Sequence, residues 1–445
     1  MLRGESLFLT IVCGLLMRVA LQSTMPPSVK LAALNGLIEL VQADAHALFR
    51  RQSLDSKLQE DSSRKSTPVA AENGEGDASQ SSAILQNHWD DVLALAADIH
   101  PNQKIEEQSS NLIRRKILYL VDIAVRDGLV GPWTTVPTLV SFAMDMQQDI
   151  SVRSLKLLKV LSTKYPQYVD VGRLIKGVKD SYPQYSRDVI RRSKEPGSKI
   201  PECVKLGQAR LRRLYNEVIA STKSKRNDFL RLLIRSFKLE ITSSKQNGGR
   251  SFRGPDDSPA MWPWLSALIA GLPFRKTDEV CLVVHEIDTV MAQKVSSIVA
   301  ELHEFIESDV PMDHPSVREC ASTAKILCYL HRLRRYLLRG YSISAERQAV
   351  FANTTKRSSG TFRSSGGDGS LGDTAVQFNP KSASPESDPY NLMDIFSFHR
   401  DSEVSQVVPG ILHPISQGTS VVTPLNGLKA LYEELDTANV EAERA

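Results

Sequence analysis

The sequence predicts an all-α fold built from antiparallel helix pairs. Three observations carry this. Apolar residues recur with the 3.6-residue period of a helix along most of the chain, and no stretch shows the sustained alternation of a strand. The periodic stretches are roughly 12–20 residues long and are separated by short Pro/Gly turns, the pattern of an α-solenoid. Composition agrees: 41% of residues are hydrophobic but only 6% aromatic, a balance that suits stacked aliphatic helices better than sheets.

Residues 6–21 and 28–42 read as two helices separated at Met25-Pro26-Pro27. Ser28 can cap the second, which places Val29, Ala32, Ala33, Leu37 and Leu40 on one face. Within the first, Arg3 precedes an apolar run from Leu7 to Met17 that also resembles the core of a signal peptide. Arg18 interrupts that run, the following segment is its natural partner helix, and the run is too short to span a membrane. Five cysteines at irregular spacing, Cys13, Cys203, Cys281, Cys320 and Cys328, form no C-x-x-C pair and read as reduced core residues of an intracellular protein. Residues 1–50 are therefore expected to form a HEAT-like helix pair.

Residues 51–82 lose nearly all apolar residues to Ser, Glu, Asp, Lys and Gly and read as a disordered insertion. Helical periodicity returns over 84–126, with Ile113, Ile117, Leu120 and Ala124 on one face and Gly128 as a C-cap. The next helices present Val136, Leu139, Val140 and Ala143, then Val152, Leu155, Leu158 and Leu161, then Val171, Leu174, Ile175 and Val178. Residues 243–260 read as a surface loop, and Trp262 and Trp264, flanking a proline, as anchors of a turn. Residues 83–350 thus form the main helical region. Residues 351–445 read as a largely disordered tail: 352–390 are Ser- and Gly-rich, and one weak helix is expected from Leu425.

An internal echo points to a repeat. Ser-Val-Lys or Ser-Val-Arg occurs at Ser28, Ser151 and Ser316, each time followed by an apolar residue three positions after the Val: Ala32, Leu155 and Cys320. The valines are separated by 123 and 165 residues, close to three and four periods of about 41, within the range of HEAT repeats. The fold class expected is an all-α, HEAT-type α-solenoid with disordered insertions.

Catalytic patterns fail where they are approached. Gly271-Leu-Pro-Phe-Arg-Lys-Thr277 lacks the second glycine of a phosphate loop, and Pro273 removes an N–H donor, so it reads as a loop between helices. His285-Glu286 has no second His one turn on, as a zinc-protease helix requires. Asp278, Glu279, Glu286 and Asp288 lie around one helical segment with nothing to single out an acid–base pair. Cys320 and Cys328, about two helical turns apart, suit core packing better than metal ligation. No enzyme activity, cofactor or metal is expected.

The strongest signal outside the core is basic. From Cys203 to Lys238 run Lys205, Arg210, Arg212, Arg213, Lys223, Lys225, Arg226, Arg231, Arg235 and Lys238, opposed only by Glu217 and Asp228, for a local charge of +8 against +4 for the whole chain. A second cluster holds Arg332, Arg334, Arg335 and Arg339. Charge runs on helices usually mix signs, so one-sided charge over so many turns points to a polyanion, and the scarcity of interleaved aromatics favours duplex backbone over single strands. Arg212, Arg213, Lys223, Lys225, Arg226, Arg332, Arg334 and Arg335 are the candidate DNA-binding residues. The alternative is that these are solvated outer faces of helices.

Several stretches resemble a known family. Gly128-Leu-Val-Gly-Pro-Trp-Thr-Thr-Val-Pro, the Ser-Val-Arg helix and Lys164-Tyr-Pro-Gln-Tyr come first. Leu211-Arg-Arg-Leu-Tyr-Asn and Lys225-Arg-Asn-Asp-Phe-Leu-Arg-Leu-Leu follow, then Leu272-Pro-Phe and Val284-His-Glu-Ile-Asp288. In this order they are similar to the C-terminal part of the sister chromatid cohesion, or cohesin loader, family (Nipped-B, adherin). The resemblance covers about Ser28 to Tyr341, and the sequence after Val350 departs from it. It implies a hook-shaped, non-catalytic HEAT solenoid in the nucleus, on chromosomes. Its implied partners are duplex DNA and the cohesin ATPase and kleisin subunits, and its implied role is to promote cohesin loading and the cohesin ATPase cycle. Family chains are much longer. The N-terminal region that docks the family's small TPR partner is missing here, so that partner is not expected to bind. The competing reading is a generic helical-repeat adaptor for acidic proteins or membrane surfaces.

Overall fold

The structure is a computed structural model that describes residues 18–20, 25–43, 80–96, 104–186, 202–246, 261–308, 314–359 and 424–444. Among the described residues every extended element is a helix and no β-strand forms. None of these helices is long and apolar enough to cross a membrane. The all-α architecture of packed helix pairs is the one that the apolar periodicity predicts. The chain divides into two compact units, Met1–Pro183 and Gln184–Ala445.

The first unit holds α1 (27–43), α2 (Gln80–Ala94), α3 (Lys104–Arg126), α4 (Pro132–Ala143), α5 (Gln148–Lys164) and α6 (Val171–Asp180). α3 ends in a two-bond glycine cap. Gly128 takes φ +70°, its N–H donates to Val125 O, and the Leu129 N–H donates to Ala124 O at 2.9 Å; only glycine enters this left-handed conformation without Cβ strain. Gln86 of α2 donates to the Leu129 carbonyl at 2.9 Å, tying that turn down. The turn leads into α4 with Pro132 in its first turn, where a missing N–H costs nothing.

α4 packs against both α5 and α6, and small residues set the approach. Ser151 and Ser154 of α5 are buried and donate to Ala143 O and Leu139 O, each at 2.6 Å. Gly177 of α6 lies so close to α4 that an added Cβ would stand 2.4 Å from Pro137 O and 2.5 Å from Val140 Cβ. Between α4 and α5, Arg114 of α3 meets the buried Asp145 carboxylate at 3.0 Å, and Asp145 also accepts the Gln147 N–H at 2.7 Å, closing the turn into α5.

The second unit holds α7 (Glu202–Leu214), a π turn (Tyr215–Ile219), α8 (Lys223–Gln246), α9 (Met261–Ala270), α10 (Thr277–Glu307), α11 (Pro315–Gly340), α12 (Ala345–Ser359) and α13 (Pro424–Arg444). α10 and α11, long neighbours joined by a short connection, pack along each other as an antiparallel pair. α8, α12 and α13 pack on α10, and α9 on α7 and α11. All ten residues of α9 are buried, which explains why its sequence shows no polar face. Trp262 stacks near Phe237 (centroids 4.8 Å) and Trp264 near Tyr185 (5.3 Å).

Several sequence expectations need correction. α1 begins at residue 27, so Ser28 is inside the helix rather than its cap. Its buried face is Ala33, Leu34, Leu37, Ile38 and Val41, with Val29 and Ala32 exposed; the stripe is turned from the one expected because alternatives at neighbouring positions are equally apolar. Trp262 and Trp264 lie in the first turn of α9, with Pro263 where helix starts accept proline. α8 runs on to Gln246 into the expected loop, α2 begins at Gln80 within the expected insertion, and α12 continues to Ser359. The tail helix α13 spans 21 residues. The rest of 51–82, 352–390 and most of 6–21 lie outside the described residues. Cys203, Cys281, Cys320 and Cys328 are buried and form no disulfide, as expected of reduced core cysteines.

Candidate nucleic-acid interface

The basic stretch from Cys203 to Lys238 folds into α7, the π turn and α8. The apolar residues of α7 turn inward at Cys203, Val204, Leu211 and Leu214, and those of α8 at Phe229, Leu230, Leu233, Ile234 and Phe237. Arg212 is left exposed and Arg213 half-exposed at the C-terminal end of α7, and Lys223 is exposed at the start of α8. The π turn buries Tyr215, Val218 and Ile219 between them, so the end of one helix and the start of the next lie on either side of one short connection.

Carboxylates from elsewhere in the chain oppose much of the remaining charge. Arg226 pairs with Glu279 of α10 at 2.8 Å, with side chains 12% and 3% exposed. Glu279 is the third residue of its helix, and its other oxygen accepts the Arg275 N–H at 3.0 Å, so one carboxylate caps α10 and neutralises α8. Two turns on, buried Glu286 accepts two bonds from Arg235, at 3.0 and 3.2 Å, and lies 3.7 Å from Arg231. Arg334 binds Asp288 at 2.5 Å. Arg332 makes a forked pair with Glu434 of α13 at 2.7 and 2.8 Å. Arg213 has only a loose contact with Glu217, 3.8 Å away and well exposed, the kind of surface pair that contributes about 0–1 kcal/mol.

The eight candidates therefore divide. Arg226, Arg332 and Arg334 are charge-matched within the unit and part-buried. Arg212, Arg213, Lys223 and Lys225 gather around the α7–α8 connection. Arg335 lies part-buried on α11 beside His331. The acidic partners were missed in sequence because Glu279 and Glu286, one heptad apart on α10, gain meaning only when α8 packs on α10.

The fold also adds one cation that sequence did not single out. Arg275, in the string rejected as a phosphate loop, is exposed, and its guanidinium donates to Asn216 of the π turn at 3.1 Å. Arg212 donates to Gly271 O at 3.3 Å, and Gln208 to Ala267 O at 2.7 Å. The α9–α10 turn is thus pinned beside the end of α7, bringing Arg212 and Arg275 to one region. Chemically this is a cluster of guanidinium and ammonium groups at helix ends, able to meet phosphates. No group of His, Cys, Asp and Glu among the described residues could hold a metal. His285 is half-buried beside Phe351, with ring centroids 6.2 Å apart.

Residues 81–290 match the family described as sister chromatid cohesion C-terminus (Nipped-B). The matched residues make up just under half of the chain, and over them it is similar to this family. The match takes in the glycine cap after α3, the α4–α6 cluster and the whole α7–α8 basic region. Nipped-B-like protein scc-2 of Caenorhabditis elegans is 24% identical over 239 residues, covering 49% of this chain and 10% of the scc-2 chain. The C-terminal fragment of the Chaetomium thermophilum cohesin loader SCC2 aligns in structure with a TM-score of 0.45 and 16% identity, over 77% of this chain and 22% of that one. The chain thus spans a small part of these Nipped-B relatives.

Proposed function

We propose that this chain acts as the C-terminal region of a non-catalytic cohesin-loading factor. In this reading it binds duplex DNA and the cohesin ATPase and kleisin subunits on chromosomes in the nucleus, and it promotes cohesin loading and the cohesin ATPase cycle. The family match over 81–290 supports the loader role. The DNA role rests on one observation: after the internal ion pairs are made, cations still cluster at the α7–α8 connection, with Arg212 and Lys223 exposed. Lys and Arg that meet phosphate release condensed counterions, which supplies affinity without sequence preference. Arg212, Arg213, Lys223 and Lys225 are the proposed phosphate contacts, with Arg275 joining them and Arg335 as a secondary contact.

A pulldown from nuclear extract tests the loader reading. Capture of cohesin subunits by the wild-type chain supports it. Recovery of acidic cytoplasmic proteins or vesicles in their place would support the adaptor alternative and contradict the loader.

A further inference from the structure

A cluster of exposed aromatic rings in the first unit has no part in the duplex site. Trp133, in the first turn of α4, is 45% exposed, and Tyr165, at the end of α5, is 41% exposed. Their rings meet through Tyr168 of the short helical turn that follows α5: Trp133 to Tyr168 is 5.5 Å between centroids and Tyr165 to Tyr168 is 6.0 Å. Gly131 makes the arrangement possible. The indole folds back over it so closely that an added Cβ would stand 2.4 Å from the ring, so Trp133 is held in place without being covered. The other three tryptophans, Trp89, Trp262 and Trp264, are 4% exposed or less.

The surroundings are cationic. Lys164 adjoins Tyr165, Lys159 and Lys156 continue back along α5, and Lys176 lies on α6; all four are exposed and meet no carboxylate among the described residues. The carboxylate beside the rings, Asp170, is committed: it accepts the Arg173 N–H as the cap of α6 and pairs with the Arg173 guanidinium. Arg173 in turn donates to the Tyr168 carbonyl at 3.4 Å.

We infer that Trp133, Tyr165 and Tyr168 form a stacking platform for unpaired bases, with the lysines of α5 and α6 along the phosphate track, so that this unit binds single-stranded nucleic acid. Exposed rings next to unopposed lysines are the two elements that such sites combine. In a duplex each base already stacks on its neighbours, so the rings gain little from it, whereas unpaired bases offer free faces. The basic rim favours a polyanion over an apolar or proline-rich peptide. The site is distinct from the duplex contacts of the second unit.

The test uses the full chain, oligo(dT) and a duplex of equal length. Trp133 is the exposed tryptophan, so stacking should quench emission with oligo(dT) and much less with duplex. Tyr165→Leu with Tyr168→Leu should weaken oligo(dT) binding about tenfold for each ring lost and leave duplex binding unchanged. Tyr165→Phe with Tyr168→Phe, which keeps the rings, should bind as the wild type does, separating stacking from folding. Oligo(dT) that leaves the emission unchanged would overturn the inference. So would Leu variants that bind oligo(dT) normally, an equal loss on duplex, or quenching by a proline-rich acidic peptide in place of oligo(dT).

Discussion

At the scale of residues, the second unit depends on carboxylates that neutralise a basic helix. Glu279 serves both Arg226 and the start of α10. Removing one partner of a buried pair leaves the other charged and unsolvated, at about 3–5 kcal/mol. Glu279→Ala should therefore destabilise the chain by about 3 kcal/mol or more in urea unfolding, while Arg213→Ala, in an exposed pair, should cost less than about 1 kcal/mol. A cost for Glu279→Ala no larger than that for Arg213→Ala would contradict the assignment. His331 makes a second prediction. It is 3% exposed, and burial, then the charges of Arg335, Arg334 and Arg332, push its pKa down to about 4. A depressed folded pKa means that the native state holds the neutral ring. Its contribution is present above the unfolded value near 6.5 and is lost as pH falls from there toward 4, a change of about 3 kcal/mol. Stability measured against pH should show that acid limb, and His331→Gln should flatten it; an equally steep limb in the variant would rule His331 out as its source.

Elements are where the sequence was most legible. The 3.6 period located α3 to α6, and their expected faces are buried except Val152 and Val171, which are half-buried. Gly128 could be read as a cap because a glycine after the last periodic residue has few other uses. Partner choice was not legible. The charge excess of α7 and α8 is a property of one segment, whereas Glu279, Glu286, Asp288 and Glu434 reach it from α10 and α13 through tertiary packing. α9 was misread as a turn because a helix buried on every side shows no amphipathic period. Gly177 had no visible role in sequence, yet it sets the spacing of α4 and α6. Gly177→Ala should force those helices apart and cost about 3 kcal/mol, at the upper end for overpacking. Gly128→Ala, with open space around it but a left-handed backbone, should cost only about 1 kcal/mol. Thermal unfolding of the two variants checks the order, and a larger loss at Gly128 would contradict it.

At the scale of the whole molecule, the described residues form an all-α scaffold whose candidate site is a charged surface. Its basic surplus was legible as a sum over residues, but not which cations remain outward-facing once α8 has packed on α10. The central claim is that the cluster at the α7–α8 connection meets DNA phosphates. The direct measurement is a titration of the full chain with duplex DNA at several salt concentrations, repeated for the variant with Arg212, Arg213, Lys223 and Lys225 all changed to Ala, after circular dichroism shows it folded. The log affinity falls with log salt by about 0.9 per phosphate contact, so losing four contacts should flatten the slope by roughly three to four units and weaken all duplex sequences alike. An unchanged slope and affinity would contradict the account and leave these residues as solvated helix ends.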